Sequence, residues 1–178
     1  MGKRNYQVLD GLTRGFGPRT TDDNVPADVS TSGAVRQLVI ELEDLTVLPL
    51  NTAASAAGAA VNSATLPANS SVQSVTVITK TAATSSGAAD LLLGVYTKHA
   101  TSGALVAVDE DGLAAAGDSA LADFSVAGET IVLGKAAGAA LIGKTTVGAA
   151  PVIVAPAYAT AAYTGGALQV IIEYVLAA

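Results

Sequence analysis

Apolar and polar residues alternate along much of this chain, most clearly near its C-terminal end. Residues 164–176 open on a Gly-Gly pair and then place apolar side chains at every second position: Leu168, Val170, Ile172, Tyr174 and Leu176. Side chains of a β-strand point alternately to opposite faces, so this set is predicted to face a core. The other face is mixed, with Ile171 between Gln169 and Glu173. A strand this apolar is expected inside a sheet, with neighbours on both edges.

The same period of two, interrupted by turn residues every 8–12 positions, predicts roughly ten short strands. Besides the last one they are Val35–Leu42, Leu45–Leu50, Val61–Leu66, Val72–Lys80, Asp90–Thr97, Ala104–Val108, Thr130–Leu133, Ala140–Ile142 with Thr145–Val147, Pro151–Val154 and Ala157–Tyr163. Gly94 inside one of them indicates a bulge or a close neighbour. No β-α-β rhythm occurs, so we predict an all-β fold, an antiparallel β-sandwich or jelly roll.

Three connecting segments lack the alternating pattern of the predicted strands. Asn51–Ala60 is rich in Ala, but its Gly, Ser and Thr favour a surface loop over a short helix. Asp109–Gly112 carries turn residues, and Leu113–Ala122 is compatible with one short helix.

Residues 1–34 lack a sustained period and contain many Gly, Pro and Asp residues. They are predicted to form an extended N-terminal arm, and residues 35–178 the sandwich domain. Apolar residues recur through the arm, which favours an arm ordered against another subunit over the alternative of a disordered tail. The residues expected to contact a partner are Lys3, Arg4, Tyr6, Leu9, Arg14, Phe16 and Arg19, together with Ile171 on the mixed face of the last strand.

Composition favours an assembled protein. The 178 residues correspond to one domain. Hydrophobic residues make up 51%, but many are Ala and aromatics are only 4%, so the core is thin for its length. Charged residues are 13%, against about 25% in typical proteins. We therefore expect contacts between subunits to supply part of the stability.

Several classes of function are disfavoured. The net charge of -6 argues against nucleic-acid binding, and the absence of Cys removes disulfides and thiolate metal sites. The first residues, MGKRNYQVLDG, lack the apolar run of a signal peptide. The uncharged stretches 45–79 and 145–172 contain too many polar, Pro and Gly residues for a membrane span.

Gly138–Thr145 fits the pattern of a phosphate-binding loop, G-x-x-x-x-G-K-[ST]. That chemistry needs a strand before the loop and a helix beginning at Lys144, so that the helix N-terminus faces the phosphate. The residues that follow are β-branched, interrupted by Gly148 and stopped by Pro151. Nucleotide binding is therefore not predicted.

No catalytic site or cofactor is predicted either. Asp109, Glu110 and Asp111 lack the alternating spacing of a calcium loop. His99 has no Ser, Cys or carboxylate at a telling distance, so a surface His is favoured. The chain is predicted not to be an enzyme.

Four segments of strand and turn residues follow one another along the chain: Leu66–Val77 (LPANSSVQSVTV), Asp90–Tyr96 (DLLLGVY), Val108–Leu113 (VDEDGL), and Tyr163–Gly166 leading into Val170–Tyr174 (VIIEY). Together they resemble the head decoration, or cement, proteins of tailed bacteriophages. The resemblance implies a sandwich on the outer surface of the capsid, made in the host cytoplasm and commonly trimeric. It also implies that the major capsid protein is the partner, and it brings no catalytic residues.

The resulting hypothesis is a virion structural protein that decorates the capsid and stabilises the head by bridging neighbouring capsid subunits. The alternative is another virion component on the same fold: a head fibre base, a tail protein, or a host- or glycan-binding module. Tyr158 and Tyr163 are the only close aromatic pair, which counts against sugar binding.

Overall fold

The computed structural model describes residues 35–51, 62–101, 104–117, 119–133, 140–143 and 147–176. Within them the strands are β1 (Arg36–Leu42), β2 (Ala64–Leu66), β3 (Ser70–Ser85), β4 (Ala89–Lys98), β5 (Leu105–Ala114), β6 (Thr130–Leu133), β7 (Val152–Thr160) and β8 (Tyr163–Leu176). They form two antiparallel sheets, the first in the order β1-β8-β3-β6 and the second in the order β2-β7-β4-β5. The predicted all-β antiparallel fold is confirmed, while the jelly-roll connectivity stays a prediction.

The last strand, β8, lies inside its sheet, as its apolar composition predicts. It pairs with β1 on one side and with β3 on the other. Leu168, Val170 and Ile172 are fully buried and face the second sheet. Gly166 in the same strand has a φ of 121°, and a Cβ there would lie 2.7 Å from the Cα of Ala83, so the close approach of β3 requires glycine at this position.

One apolar core fills the space between the sheets. It takes side chains from both of them and from the segment before β6, and each buried aliphatic side chain contributes about 1.5–3 kcal/mol. Its largest fully buried members include Phe124, Leu42, Leu45, Leu66, Leu91, Leu93, Leu113, Leu168, Ile172, Val72 and Val75.

A second, smaller cluster lies on the opposite face of β4 and β7. Leu92 and Tyr96 are buried there with Leu105, Ala155 and Ala157. With apolar residues buried on both faces, β4 reads as an unbroken apolar run instead of an alternation. A Cβ on Gly94 would lie 2.6 Å from the Glu110 carbonyl oxygen, which confirms the close neighbour that the sequence indicates.

The strand predicted at Leu45–Leu50 is wrong, because Leu45–Val47 forms a 3-10 turn. Asp44 starts this turn: its carboxylate accepts hydrogen bonds from the Thr46 N–H at 2.9 Å and the Thr46 hydroxyl at 2.7 Å. Leu45 and Leu48, three positions apart, are both buried. A separation of three positions is the spacing of a helical turn. The six residues Leu45–Leu50 were too few for the sequence pattern to distinguish such a turn from a strand.

The turn predicted at Asp109–Gly112 is also wrong, because β5 continues through it to Ala114. Val95 pairs with Asp109 while Leu93 pairs with Ala114, so a wide bulge takes up the extra residues. The helix compatible with Leu113–Ala122 does not form, since its first two residues complete β5. Instead a 3-10 turn at Leu121–Phe124 buries its Phe against the core.

Two further differences lie near the phosphate-loop pattern. Ala140–Ile142 forms a turn rather than a strand, held by hydrogen bonds from the Leu141 N–H to the Gly112 carbonyl at 2.9 Å and from the Gly143 N–H to the Val72 carbonyl at 2.8 Å. The two strands predicted at Pro151–Val154 and Ala157–Tyr163 are largely one strand, β7, which runs through a buried Pro156. The loop predicted at residues 51–60 lies almost wholly outside the described residues. No helix in the described ranges is long and apolar enough to cross a membrane.

Candidate assembly surface

The outer face, meaning the face of the first sheet turned away from the core, carries a central row that takes one residue from each of its four strands, three of them aliphatic. Strand register sets this central row: Val39 lies opposite Ile171, Ile171 opposite Thr76, and Thr76 opposite Val132. Val39 is 46% exposed and Val132 65%, while Ile171 between them is half-buried. The sheet therefore presents three aliphatic side chains and the Thr76 side chain to its surroundings along one line.

A polar row borders the central row on one side. The Glu173 carboxylate accepts hydrogen bonds from Gln37 Nε2 at 3.1 Å and from Ser74 Oγ at 2.8 Å. These two bonds hold the pKa of the Glu173 carboxyl below its usual range, and the bond from Gln37 has the larger effect. The charge is thus fixed in place by its two neighbouring strands.

The row that borders it on the other side is polar on β1 and β8, while β3 contributes the half-buried Ile78 opposite Gln169. Gln169 Nε2 donates to Glu41 Oε1 at 2.6 Å, and Lys80 Nζ donates to Glu41 Oε2 at 2.8 Å and to Glu43 at 3.2 Å. The bond from Lys80 lowers the pKa of Glu41 most, and the bond from Gln169 lowers it further. The bond between Lys80 and Glu41 in turn raises the pKa of Lys80. The single positive charge of Lys80 therefore balances one of the two carboxylates, Glu41 and Glu43.

This arrangement suits contact with another protein. Interfaces combine an apolar centre with a polar rim whose hydrogen bonds are satisfied. A charge that loses water without a partner costs free energy, but the carboxylates of Glu41 and Glu173 already have partners within the sheet. A partner could therefore cover the central row while the carboxylates of Glu41 and Glu173 keep their hydrogen bonds within the sheet.

Of the residues predicted to contact a partner, Ile171 lies at the middle of the central row. The seven arm residues Lys3, Arg4, Tyr6, Leu9, Arg14, Phe16 and Arg19 lie outside the described residues, and their role stays a prediction. Val39 and Val132 were not identified from sequence. The sequence did contain a signal for Val39, because the alternation around it places this apolar residue on the polar face of its strand. It contained none for Val132, which joins the row only through the register of β6 with β3.

In the part of the chain that the structure describes, the other candidate sites do not form reactive clusters. Across the described ranges, no three His, Asp or Glu side chains are placed to hold a metal ion. His99 is exposed, and its Nδ1 accepts a hydrogen bond from the Thr101 N–H at 3.3 Å. Tyr163 is buried in the core and Tyr158 packs against it, so this aromatic pair offers no exposed platform for a sugar ring.

Comparison with known proteins gives structural neighbours only. No protein family and no curated protein matches the sequence. A chain in the capsid of Ralstonia phage GP4 shares the fold: the match covers 90% of this chain and 92% of that chain, with a TM-score of 0.52 and 18% identity. A chain in the capsid asymmetric unit of cyanophage Pam1 matches over 95% of this chain and 97% of that chain at 18% identity, but its TM-score of 0.43 is too low to carry an argument.

Proposed function

We propose that this protein is a structural component of a phage virion, bound to the outer surface of the capsid, where it stabilises the head by bridging neighbouring capsid subunits. The observation that carries the proposal is the fold shared with a chain in the capsid of Ralstonia phage GP4 over 90% of the present chain. At 18% identity the shared property is the fold. The decorating role rests in addition on the order of family-like segments from Leu66 to Tyr174.

The outer face supplies the contact that this role requires. A stable interface buries roughly 800 Å² on each partner. The central row and its two polar borders provide an apolar strip with a satisfied rim, and Ile171 occupies its middle. The partner assigned to this face is the major capsid protein.

Copy number provides the remaining free energy. A protein that touches several capsid subunits at once binds by the sum of contacts that are individually modest, because linked binding events raise the effective concentration. A homo-oligomer, most simply a trimer, multiplies these contacts further. The arm residues Lys3, Arg4, Tyr6, Leu9, Arg14, Phe16 and Arg19 are assigned to contacts with a neighbouring copy or with the capsid.

The role requires no reactive group. Bridging needs a rigid scaffold and a large contact area, which two antiparallel sheets provide, and neither a cofactor nor a nucleotide enters the proposal. The protein is accordingly proposed to be non-enzymatic.

The test uses expanded capsids that lack this protein. Purified protein is added, and bound protein is measured by co-sedimentation together with the temperature at which the capsids rupture. We expect saturable binding and a higher rupture temperature. A protein that is monomeric and does not bind these capsids would overturn the proposal, and saturable binding to glycans or host cells instead would favour a head fibre, tail or host-binding component.

A further inference from the structure

The edge of the first sheet at β1 is regular along its whole length. β1 pairs with β8 in an unbroken register from Arg36 to Leu42, and it pairs with no other described strand. Val35 and Val39 are exposed along it. An edge strand presents N–H and C=O groups on its outer side that can pair with another chain. The seven residues of β1 are therefore able to accept a further strand.

The other described sheet edges are less suited to such pairing. β2 and β6 have only three and four residues, and short edge strands resist pairing. β5 is bulged where it pairs with β4, and its Gly112 carbonyl already accepts a hydrogen bond from the Leu141 N–H. Among the described strands, β1 is thus the edge that combines length with a regular backbone.

The charges of β1 lie at opposite ends of the strand. Arg36 opens it, and the acidic residues Glu41, Glu43 and Asp44 come at its end. An antiparallel partner with the same sequence brings its own Arg36 beside this acidic end, and the same contact occurs twice. A parallel partner instead places like charges side by side. The strand is therefore complementary to a second copy of itself in the antiparallel direction.

Within the described part of the chain these charges are not fully balanced. Lys80 Nζ lies 2.8 Å from Glu41 and 3.2 Å from Glu43, so one positive charge serves two carboxylates. The Glu43 side chain is 73% exposed. Arg36 forms no ion pair with a described residue. The Arg36 side chain of a second copy would supply the positive charge that the acidic end lacks.

Side-chain matching selects one register for this pairing. Directly opposed residues lie on the same face of a sheet, so the two strands can shift only in steps of two residues. A pair centred on Val39 places the two Val39 side chains together and Gln37 opposite Glu41 on the outer face. On the inner face it places Leu38 opposite Ile40. A shift by two residues brings Val39 opposite Gln37 or Glu41, which separates the aliphatic side chains.

We propose that two copies of this chain join by antiparallel pairing of their β1 strands, with the two Val39 residues opposite each other on a two-fold axis. The two first sheets then form one sheet of eight strands, in the order β6-β3-β8-β1-β1-β8-β3-β6. Strand pairing supplies affinity through main-chain hydrogen bonds, and the opposite charges at both ends fix the direction.

This contact goes beyond the proposed function, because it does not depend on a capsid. It closes on itself by two-fold symmetry, so it is separate from the three-fold contact of the trimer named above. It also extends the central row, which runs through both copies from Val132 of one to Val132 of the other.

Single cysteine substitutions test the register, because the chain contains no Cys of its own. Directly opposed residues of antiparallel strands have Cα atoms about 4.5–5.5 Å apart, within the range that a disulfide spans. Val39→Cys therefore has its own counterpart within reach. Gln37→Cys is the matched control on the same strand and face: it lies opposite residue 41 of the second copy, about 13 Å from its own counterpart at about 3.3 Å per residue.

The purified variants are oxidised and analysed on non-reducing gels. We expect a covalent dimer of Val39→Cys, several-fold above that of Gln37→Cys and that of Val132→Cys, which is exposed on the other edge of the same sheet. A mixture of the Gln37→Cys and Glu41→Cys proteins should form a dimer of one with the other, although neither does so alone. A dimer fraction of Val39→Cys no higher than in the controls would overturn the proposal.

Charge reversal in the Cys-free chain gives an independent readout by sedimentation. Arg36→Glu should lower the dimeric fraction several-fold, because it places acidic residues on both sides of each end of the pair. Adding Glu43→Arg should restore the dimer by exchanging the two charges. Thermal unfolding checks that both variants are folded. Dimerisation that Arg36→Glu leaves unchanged would contradict the proposal.

Capsid binding separates this inference from the proposed function. If Val39→Cys does not cross-link but the unmodified protein binds and stabilises capsids, the strand pairing is wrong and the proposed function stands. If Val39→Cys cross-links but the unmodified protein does not bind capsids, the strand pairing stands and the proposed function is wrong.

Discussion

Ile171 and Val39 lie directly opposite each other on β8 and β1, with their side chains on the face turned away from the core. Burying an aliphatic side chain of this size is worth about 1.5–3 kcal/mol. In the isolated domain these side chains stay partly exposed, so part of that stabilisation is missing. A partner that covers the central row would bury them and supply it.

The first prediction concerns this row. Ile171→Lys should weaken capsid binding strongly, because it places a charge without a partner at the centre of the contact. Gln169→Lys is the matched control: it lies on the same strand and face, but beside the carboxylate of Glu41, so it should weaken binding less. Co-sedimentation with capsids measures both. Equal losses would mean that the central row is not the contact, and thermal unfolding checks that both variants are folded.

The second prediction concerns Gly94, over which β5 folds closely. A Cβ there would lie 2.6 Å from the Glu110 carbonyl oxygen and from the ring of Tyr96. Because backbone atoms cannot easily move aside, Gly94→Ala should lower the free energy of unfolding by about 1–3 kcal/mol. Gly87→Ala is the control, since its Cβ would have an ordinary contact of 3.4 Å. Urea unfolding compares them, and a Gly94 variant as stable as the control would contradict the described packing.

The third prediction concerns Tyr163, whose hydroxyl is buried and finds no hydrogen-bond partner within the described part of the chain. An unsatisfied buried hydroxyl costs on the order of 1 kcal/mol, so Tyr163→Phe should be more stable than the parent protein by roughly that amount. Tyr158→Phe, at a half-buried ring, should change stability less. Loss of stability on Tyr163→Phe would show that the hydroxyl has a partner.

Alkaline conditions should widen the difference between Tyr163→Phe and its parent. Burial, and then the charge of Asp90, raises the pKa of Tyr163. A group whose pKa is raised by folding stabilises the folded state fully below its unfolded pKa, here about 10, and loses that contribution as the pH rises further. The parent should therefore lose stability above about pH 10, and the Phe variant should lose less. Parallel pH dependences would contradict this expectation.

The fourth prediction concerns acid. Hydrogen bonds from Lys80 to Glu41, and from Gln37 to Glu173, lower the pKa of both carboxyls. Groups with a lowered folded pKa stabilise the protein above their unfolded pKa of about 4.3 and lose that contribution as the pH falls through the folded value. Urea midpoints should therefore decline below about pH 4.3, and less steeply in Glu41→Gln/Glu173→Gln. An identical decline in the double variant would assign the acid sensitivity to other groups.

Hydrophobic alternation predicted those strands that bury only one face or that are strongly apolar. Val35–Leu42, Thr130–Leu133 and the last strand agree with β1, β6 and β8 to within about a residue. In each of them the period of two has one physical cause, the burial of every second side chain. That cause is local, so it is readable in the sequence alone.

Where tertiary contacts override local preference, the prediction was wrong. Asp109–Gly112 has the residues of a turn, yet pairing with β4 draws it into a bulged strand. The apolar pattern of Leu45 and Leu48 is also compatible with a strand, and only the capping by Asp44 in the structure shows that the segment is a helical turn. The candidate site has the same limit, because alternation locates Ile171 on the outer face but only the pairing of four strands brings Val39 and Val132 into line with it.

The position of β8 between β1 and β3 also constrains the timing of folding. Gln37 and Glu173, which share a hydrogen bond, are 136 positions apart in the chain. Domains built on such distant pairings fold slowly, in milliseconds to seconds, and expose unpaired edges in the meantime. The central row exists only once β8 has inserted between its neighbours. A partly folded copy therefore lacks the complete outer face. If this face binds a capsid lattice as proposed, attachment would select fully folded molecules without any separate checkpoint.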